Sequence, residues 1–219
     1  MDNTTPAVRK RRTPEERREE IIRAAITLFA RQGFERTTTK EIAAAAGISE
    51  GTIYKYFTSK QEILFAFIEP VAFKTVPEFF AEHRDHDDEQ LVCAFIRNRF
   101  SIFENNRDLV RVIFGEAMFN PSLAGELHRM IAPAKGALVE YINRREQEGI
   151  FREVDPEVAA RALMGSILMT FVVWDLLVQG QPSVTSNVTL SEELTGIFLR
   201  GVLKTTGAAD VTAKSKESR

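Results

Sequence analysis

Between Thr38 and Glu62 the chain carries the same helix-start signal twice, and that repetition constrains its fold more than any other feature. Thr38-Thr39-Lys40-Glu41 and Ser59-Lys60-Gln61-Glu62 each place a glutamate three residues after a hydroxyl. In such a capping box the hydroxyl and the carboxylate satisfy each other's backbone amides. The interval predicts one helix over about 39–46, with Ile42, Ala43 and Ala46 inward, and another over about 50–57, capped by Ser49. Gly47-Ile48-Ser49 makes the turn between them. Upstream, Thr13-Pro14-Glu15-Glu16 opens a longer helix with a hydroxyl cap, proline at the first position and acids at the positive end of the dipole. Ile21, Ala25, Leu28 and Phe29 form its apolar stripe, and Gly33 ends it. Two short helices joined by a glycine-containing turn, after a longer one, make a helix-turn-helix. The four alanines from Ala43 to Ala46 agree, because small side chains let the two helices cross closely.

The outward face of the second short helix says what the motif meets. Ile53 and Phe57 are four apart and share the buried face, which turns Gly51, Tyr54 and Lys55 outward with Thr52 and Tyr56 beside them. Lys55 can contact phosphate or guanine, and the three hydroxyls can donate to phosphate. Gly51 weakens a helix by about 1 kcal/mol relative to alanine, so it implies either a close outside approach or a local packing need. Lys40 and Lys60, at the starts of their helices, are placed to clamp phosphates beside the groove, with free amides at the same helix ends. Glu50 either accepts from a cytosine amine or simply favours the helix N-terminus.

Charge is distributed in the same sense. Residues 1–60 hold 12 Lys and Arg against 8 Asp and Glu, a balance of +4, whereas the remainder stands at −6. A basic head on an acidic body suits a polyanion partner for the head alone. Residues 1–12 end in Arg9-Lys10-Arg11-Arg12 and are expected to be a flexible arm, either solvated or touching DNA.

Phe29-Ala30-Arg31-Gln32-Gly33-Phe34, Thr37-Thr38-Thr39-Lys40-Glu41-Ile42-Ala43, Ala46-Gly47-Ile48-Ser49-Glu50-Gly51-Thr52-Ile53-Tyr54-Lys55-Tyr56-Phe57 and Ser59-Lys60 closely resemble the DNA-binding domain of the tetracycline-repressor (TetR) family. The resemblance spans about residues 15–65 without a gap. It implies an all-helical homodimer on a near-palindromic operator, one recognition helix in each of two successive major grooves. By position it implies contacts to bases and phosphates from Thr38, Lys40, Ser49, Gly51, Thr52, Tyr54, Lys55, Tyr56 and Lys60.

The rest of the chain also reads as helices, with no convincing period-two stretch, so the expected class is all-α. The expected organisation is an arm (1–12), a helix-turn-helix domain (13–66, the motif at 38–57), a larger helical ligand-binding and dimerisation domain (67–204) and a disordered tail (205–219). A fourth helix is expected from Ser59 towards His83, broken near Pro70 and Pro77. Further starts lie at Asp87-Asp88-Glu89, about residue 107, Asn120-Pro121 (with Pro133 as a kink), Asp155-Pro156 and Ser191-Glu192-Glu193. The helices at about 156–179 and 191–203 are the dimer candidates. The first is apolar on more than one face, and the family's last two long helices form such an interface.

Phenylalanine is unusually common in this body: 16 in the whole chain against 3 Tyr and 1 Trp. Phe100, Phe103, Phe114, Met118, Met164 and Phe171 are the candidate lining of an apolar pocket, although core packing explains any one of them. Asn98, Arg99, Glu116, Tyr141 and Asp175 are candidate polar groups for it.

Several chemistries are not expected. His83-x-x-His86 has no second ligand pair at metal spacing, so neither metal nor cofactor is expected. The chain has no phosphate loop and no Gly-x-Ser-x-Gly elbow, and Cys93 reads as a small buried hydrophobe, so it is not expected to be an enzyme. One cysteine in all, no apolar leader and a longest charge-free apolar run of 13 residues point to a cytoplasmic protein without a membrane span. The expected partners are operator DNA, a second copy and a small effector. The expected function is ligand-responsive repression. Two alternatives stand beside it: a DNA-bound structural or division-associated protein of the same fold, and a small-molecule-binding protein or enzyme whose helix-turn-helix is incidental.

Overall fold

The computed structural model describes residues 12–70, 75–84, 86–172 and 186–204. Among them every regular element is a helix, and one isolated antiparallel bridge, Phe151 to Leu203, is the sole β feature. The chain divides into two compact units, one through Ile68 and one from Glu69 onward. The expected arm up to residue 11 and the tail from residue 205 lie outside the described residues.

The first unit holds α1 (Pro14–Gln32), α2 (Thr39–Ala45), α3 (Glu50–Ile53) and α4 (Lys60–Ile68). Its starts are the ones that local chemistry requires. Thr13 and Glu16 form a complete capping box on α1, and Thr38 and Glu41 form another on α2. Gly47, with φ +66°, makes the turn to α3 in a conformation that residues with a Cβ seldom adopt. Ile21, Ala25, Phe29, Phe34, Ile42, Ile53, Phe57, Ile63 and Leu64 are buried and form the core.

Three local expectations are corrected here. α3 ends at Ile53 rather than near residue 57, because the next amides, from Lys55 and Tyr56, bond to carbonyls three residues back, at 3.2 and 2.9 Å. Ser49 occupies the N-cap of α3, but its hydroxyl pairs with the Thr52 hydroxyl at 2.8 Å rather than with a backbone amide. The second box closes through a neighbour. Ser59 accepts from the Glu62 amide at 3.1 Å, while the Glu62 carboxylate accepts from the amide and hydroxyl of Thr58 at 2.6 and 2.8 Å.

The second unit holds α5 (Thr75–Glu82), α6 (Asp88–Asn105), α7 (Arg107–Ala117), α8 (Pro121–Gln147), α9 (Pro156–Met169) and α10 (Asn187–Val202). Of the helix expected from Ser59 towards His83, the described residues hold α4 and α5, and Pro77 lies inside α5 without interrupting it. Asp87, Asn120 and Asp155 cap α6, α8 and α9 with side-chain oxygens on free amides, and proline follows directly in α8 and α9. α10 begins at Asn187, four residues before the expected start. Ser186 caps it, and Ser191 is wholly buried inside it, its hydroxyl donating to the Asn187 carbonyl at 2.6 Å. α6 lies against α10, and α8 against α5 and α9, around one aromatic-rich core.

A polar cluster sits at the edge of that core. The buried Tyr141 hydroxyl donates to Asp88 Oδ1 at 2.5 Å, and Arg145 Nη2 donates to Asp88 Oδ2 at 2.6 Å. Burial, aided by the Asp88 bond, holds the Tyr141 proton far above the ordinary tyrosine value of 10.0. A phenol whose pKa rises on folding supports the fold below that value and loses this contribution at higher pH, where the unfolded chain releases its proton first. Wild-type stability is therefore expected to fall as pH climbs past about 10, less steeply in Tyr141→Phe. Asp88→Ala, which leaves a buried donor unmatched, is expected to cost about 2 kcal/mol at neutral pH. Urea unfolding across pH measures both.

Candidate nucleic-acid interface

α2 and α3 are held by their apolar faces, Ile42 and Ala43 on one and Ile53 on the other, so their polar faces point away from the core. Phe57 lies 1% exposed behind α3, and the Arg18 guanidinium sits 4.2 Å from its ring centre. Arg18 Nη1 also donates to the Tyr56 carbonyl at 3.1 Å, tying α1 to the end of the recognition segment. Sequence reasoning passed over Arg18. Its spacing, three residues before Ile21 on the buried stripe of α1, was the available signal.

Thr38, Lys40, Ser49, Gly51, Tyr54 and Lys55 are exposed, while Thr52, Tyr56 and Lys60 are half-buried. The Tyr54 phenol lies 3.2 Å from the Thr39 hydroxyl, which donates to Glu50 at 2.6 Å. Thr39 was not among the expected site residues. A hydroxyl at the first position of α2, facing α3, was the signal for it. Gly51 has open surroundings: a Cβ built on it would meet no heavy atom within 4 Å. Local packing therefore does not explain this glycine.

Thr38 and Lys60 are also engaged within the fold. Thr38 accepts from the Glu41 amide at 3.2 Å, and the Glu41 carboxylate takes the Thr38 amide and hydroxyl at 2.8 and 2.9 Å. These bonds, the backbone one first, hold the Glu41 carboxyl below its ordinary value. Lys60 differs most from the free phosphate clamp expected of it. Its ammonium donates to the carbonyls of Phe34 and Glu35 at 2.9 and 3.1 Å, lies 3.6 Å from the Glu35 carboxylate and stands 4.3 Å from the Phe34 ring centre. An ammonium has three donors, so Lys60 first closes the loop between α1 and α2.

In the second unit Phe100 and Phe171 are buried core, and Phe103, Phe114 and Met164 are partly buried against that core. The Phe103 and Phe171 rings lie 5.4 Å apart. Met118, at the end of α7 and past the buried face of Leu109, Val110 and Ile113, is 79% exposed and does not pack on the core of the described residues. Arg99 is only 5% exposed and donates to Asn98 and to Thr75, with burial pulling its guanidinium down to about 10. Tyr141 is committed to Asp88, and Asp175 lies outside the described residues, as do Trp174, Leu176 and Leu177. Cys93 is half-buried rather than buried, with an Arg97 nitrogen 3.8 Å from its sulfur. The His83 ring stacks on Phe79 at 4.2 Å and does not converge with Asp87 and Asp88.

The family described as bacterial regulatory proteins, tetR family, matches residues 21–67, and the C-terminal domain of AefR-like transcriptional repressors matches residues 94–200. This chain belongs to the TetR family. It is a TetR-family DNA-binding regulator, and all nine expected DNA-contact positions fall inside the first match. It is similar to nucleoid occlusion factor SlmA of Haemophilus influenzae strain PittGG, 30% identical over 175 residues that cover 73% of this chain and 75% of that one. SlmA of Glaesserella parasuis serovar 5 is 27% identical over 117 residues, 52% of this chain and 58% of that relative, so the match spans less than two thirds of its length. Among solved structures, the regulator FadR of Bacillus subtilis, in complex with stearoyl-CoA, has a TM-score of 0.72 at 22% identity, covering 84% of this chain and 98% of that one. That likeness to a TetR-type architecture is one of fold. No helix among the described residues is long and apolar enough to cross a membrane.

Proposed function

We propose that this protein is a ligand-responsive transcriptional repressor that binds a palindromic operator as a homodimer and is released by a small apolar or aromatic molecule. The observation that carries the DNA half is the open face of α3: Gly51 with no neighbour, flanked by exposed Tyr54 and Lys55. The glycine costs α3 about 1 kcal/mol relative to alanine and leaves its backbone open to a close approach between two donor side chains. Thr38, Lys40, Ser49, Thr52, Tyr56 and Lys60 complete the DNA-facing set, Lys60 with the single ammonium donor left over from its loop.

An apolar stripe on α9 and α10 supports dimerisation. Val158 and Met169 are 53% and 54% exposed, Ala162 and Gly165 lie between them, and Ile197 is 62% exposed on α10. Small and apolar side chains left facing water at helical spacing suit burial against a second copy. The effector is placed among Phe103, Phe114 and Met164, over buried Phe100 and Phe171. It acts by binding better to a dimer whose recognition helices no longer match successive major grooves. The protein is non-enzymatic and cytoplasmic, and needs no metal or cofactor.

A second reading is favoured by the similarity to SlmA: a DNA-bound factor whose partner is a protein rather than a small ligand. Selection of genome fragments by purified protein at about 150 mM salt separates the two. One or a few enriched palindromes support the repressor, and dispersed enrichment supports the second reading. No enrichment would falsify DNA reading by this face.

Gly51→Ala gives an opposed pair of effects. The fold is expected to gain about 1 kcal/mol, from replacing a helical glycine in open space, while operator affinity drops because the new methyl group stands where DNA must approach. A melting curve beside a binding isotherm records both signs.

A further inference from the structure

Glu50 places a negative charge on the face that meets a polyanion, and the structure shows what that charge holds. Its Oε1 accepts from the Thr39 hydroxyl at 2.6 Å, and the Tyr54 phenol lies 3.2 Å from the same hydroxyl oxygen. A threonine hydroxyl has one proton. With that proton given to Glu50, the phenol must donate to Thr39. The result is a directed chain, Tyr54 to Thr39 to Glu50, joining the first residue of α2 to α3. Glu50 and Tyr54 are exposed and Thr39 is half-buried.

We propose that Glu50 is a specificity-determining residue that competes with DNA phosphate for the Thr39 and Tyr54 hydroxyls. The proposal rests on the reading of this face as the DNA-binding one. Hydroxyl donors that meet phosphate carry no sequence information, so left free they would favour every duplex alike. Tying both to a built-in carboxylate withholds that affinity from all DNA, and the carboxylate repels the incoming backbone as well. A duplex that sets its bases in register against Gly51 and Lys55 recovers the loss. One that does not is rejected. Discrimination, being a ratio of affinities, rises although the absolute affinity falls. Glu50 thereby acts against the wrong sequences rather than for the right one, which distinguishes it from a carboxylate that reads a cytosine amine.

The test uses full-length wild type, Glu50→Gln, Thr39→Val and the two changes combined, with two duplexes: the genomic fragment that wild type enriches most, and a shuffled sequence of equal length and composition. Fluorescence anisotropy is followed between about 50 and 200 mM salt. Glu50→Gln is expected to bind the shuffled duplex about tenfold more tightly, with a salt slope steeper by about one. Its gain on the enriched duplex is smaller, so discrimination narrows, and its melting temperature stays at the wild-type value. In a Thr39→Val background, where the shared hydroxyl is absent, the gain from Glu50→Gln on the shuffled duplex is smaller. Unchanged affinity of Glu50→Gln for the shuffled duplex overturns the proposal. So does a selective loss on the enriched duplex, which would assign Glu50 to base reading. Wild type that binds neither duplex overturns the DNA reading itself, a failure visible before any variant is compared.

Discussion

The double variant Tyr54→Ala, Lys55→Ala is expected to melt with wild type and to lose operator binding by about one and a half to four orders of magnitude. Each residue is taken to contribute about 1–3 kcal/mol to specific binding, and about 1.4 kcal/mol is a factor of ten. The fold should not notice the change. Tyr54 is 55% exposed and its phenol makes one 3.2 Å approach to Thr39, while Lys55 stands in solvent. The two losses differ in kind. Lys55 is a cation, so its removal flattens the salt dependence, whereas loss of a phenol that donates a neutral hydrogen bond leaves the slope nearly unchanged. Anisotropy titrations of each single variant at three salt concentrations check the split. Operator affinity unchanged in the double variant sinks the assignment of α3 as the recognition element.

Phe57→Ala is expected to act oppositely, on the fold first and on DNA as a consequence. The ring is 1% exposed, beneath α3 and beside Ile53, and truncation of a buried phenylalanine costs about 3–5 kcal/mol. The Arg18 guanidinium, 4.2 Å from the ring centre, loses that surface, although its bond to the Tyr56 carbonyl can remain. Such a cost is a large part of the stability of an ordinary domain. Because the chain forms two compact units, the first unit should unfold at lower denaturant than the second. Hydrogen exchange resolved along the chain would show protection lost up to Ile68 and retained in α6, α8 and α10. Uniform loss across both units would mean that they unfold as one.

Lys60 and Glu50 show how a residue's place in a motif leaves its partner undetermined. Both lie inside the motif that the sequence displays most clearly, yet each has a partner far along the chain. Its position at a helix start makes Lys60 read as a phosphate clamp, while its ammonium also closes a loop through the Phe34 and Glu35 carbonyls. Glu50 was weighed between a base contact and a dipole effect, and it accepts from Thr39. Met118 shows the same limit in the other unit, because apolar character suggested a pocket where the end of α7 leaves the side chain in solvent.

What the sequence determined by itself was whatever depends on residues within about one helical turn. The caps at Thr13, Thr38, Asp87, Asn120 and Asp155, the turn at Gly47 and the buried pairing of Ile53 with Phe57 are all of this kind. A hydroxyl or carboxylate next to a free amide acts at short range, and an apolar stripe at helical spacing needs only the helix to show itself. The contacts that define the face were decided by tertiary structure. Thr39 meets Glu50 across 11 positions, Lys60 meets Phe34 across 26, and Arg18 meets Tyr56 across 38. Such pairs exist only once the helices have crossed, because the crossing is set by how buried side chains interlock.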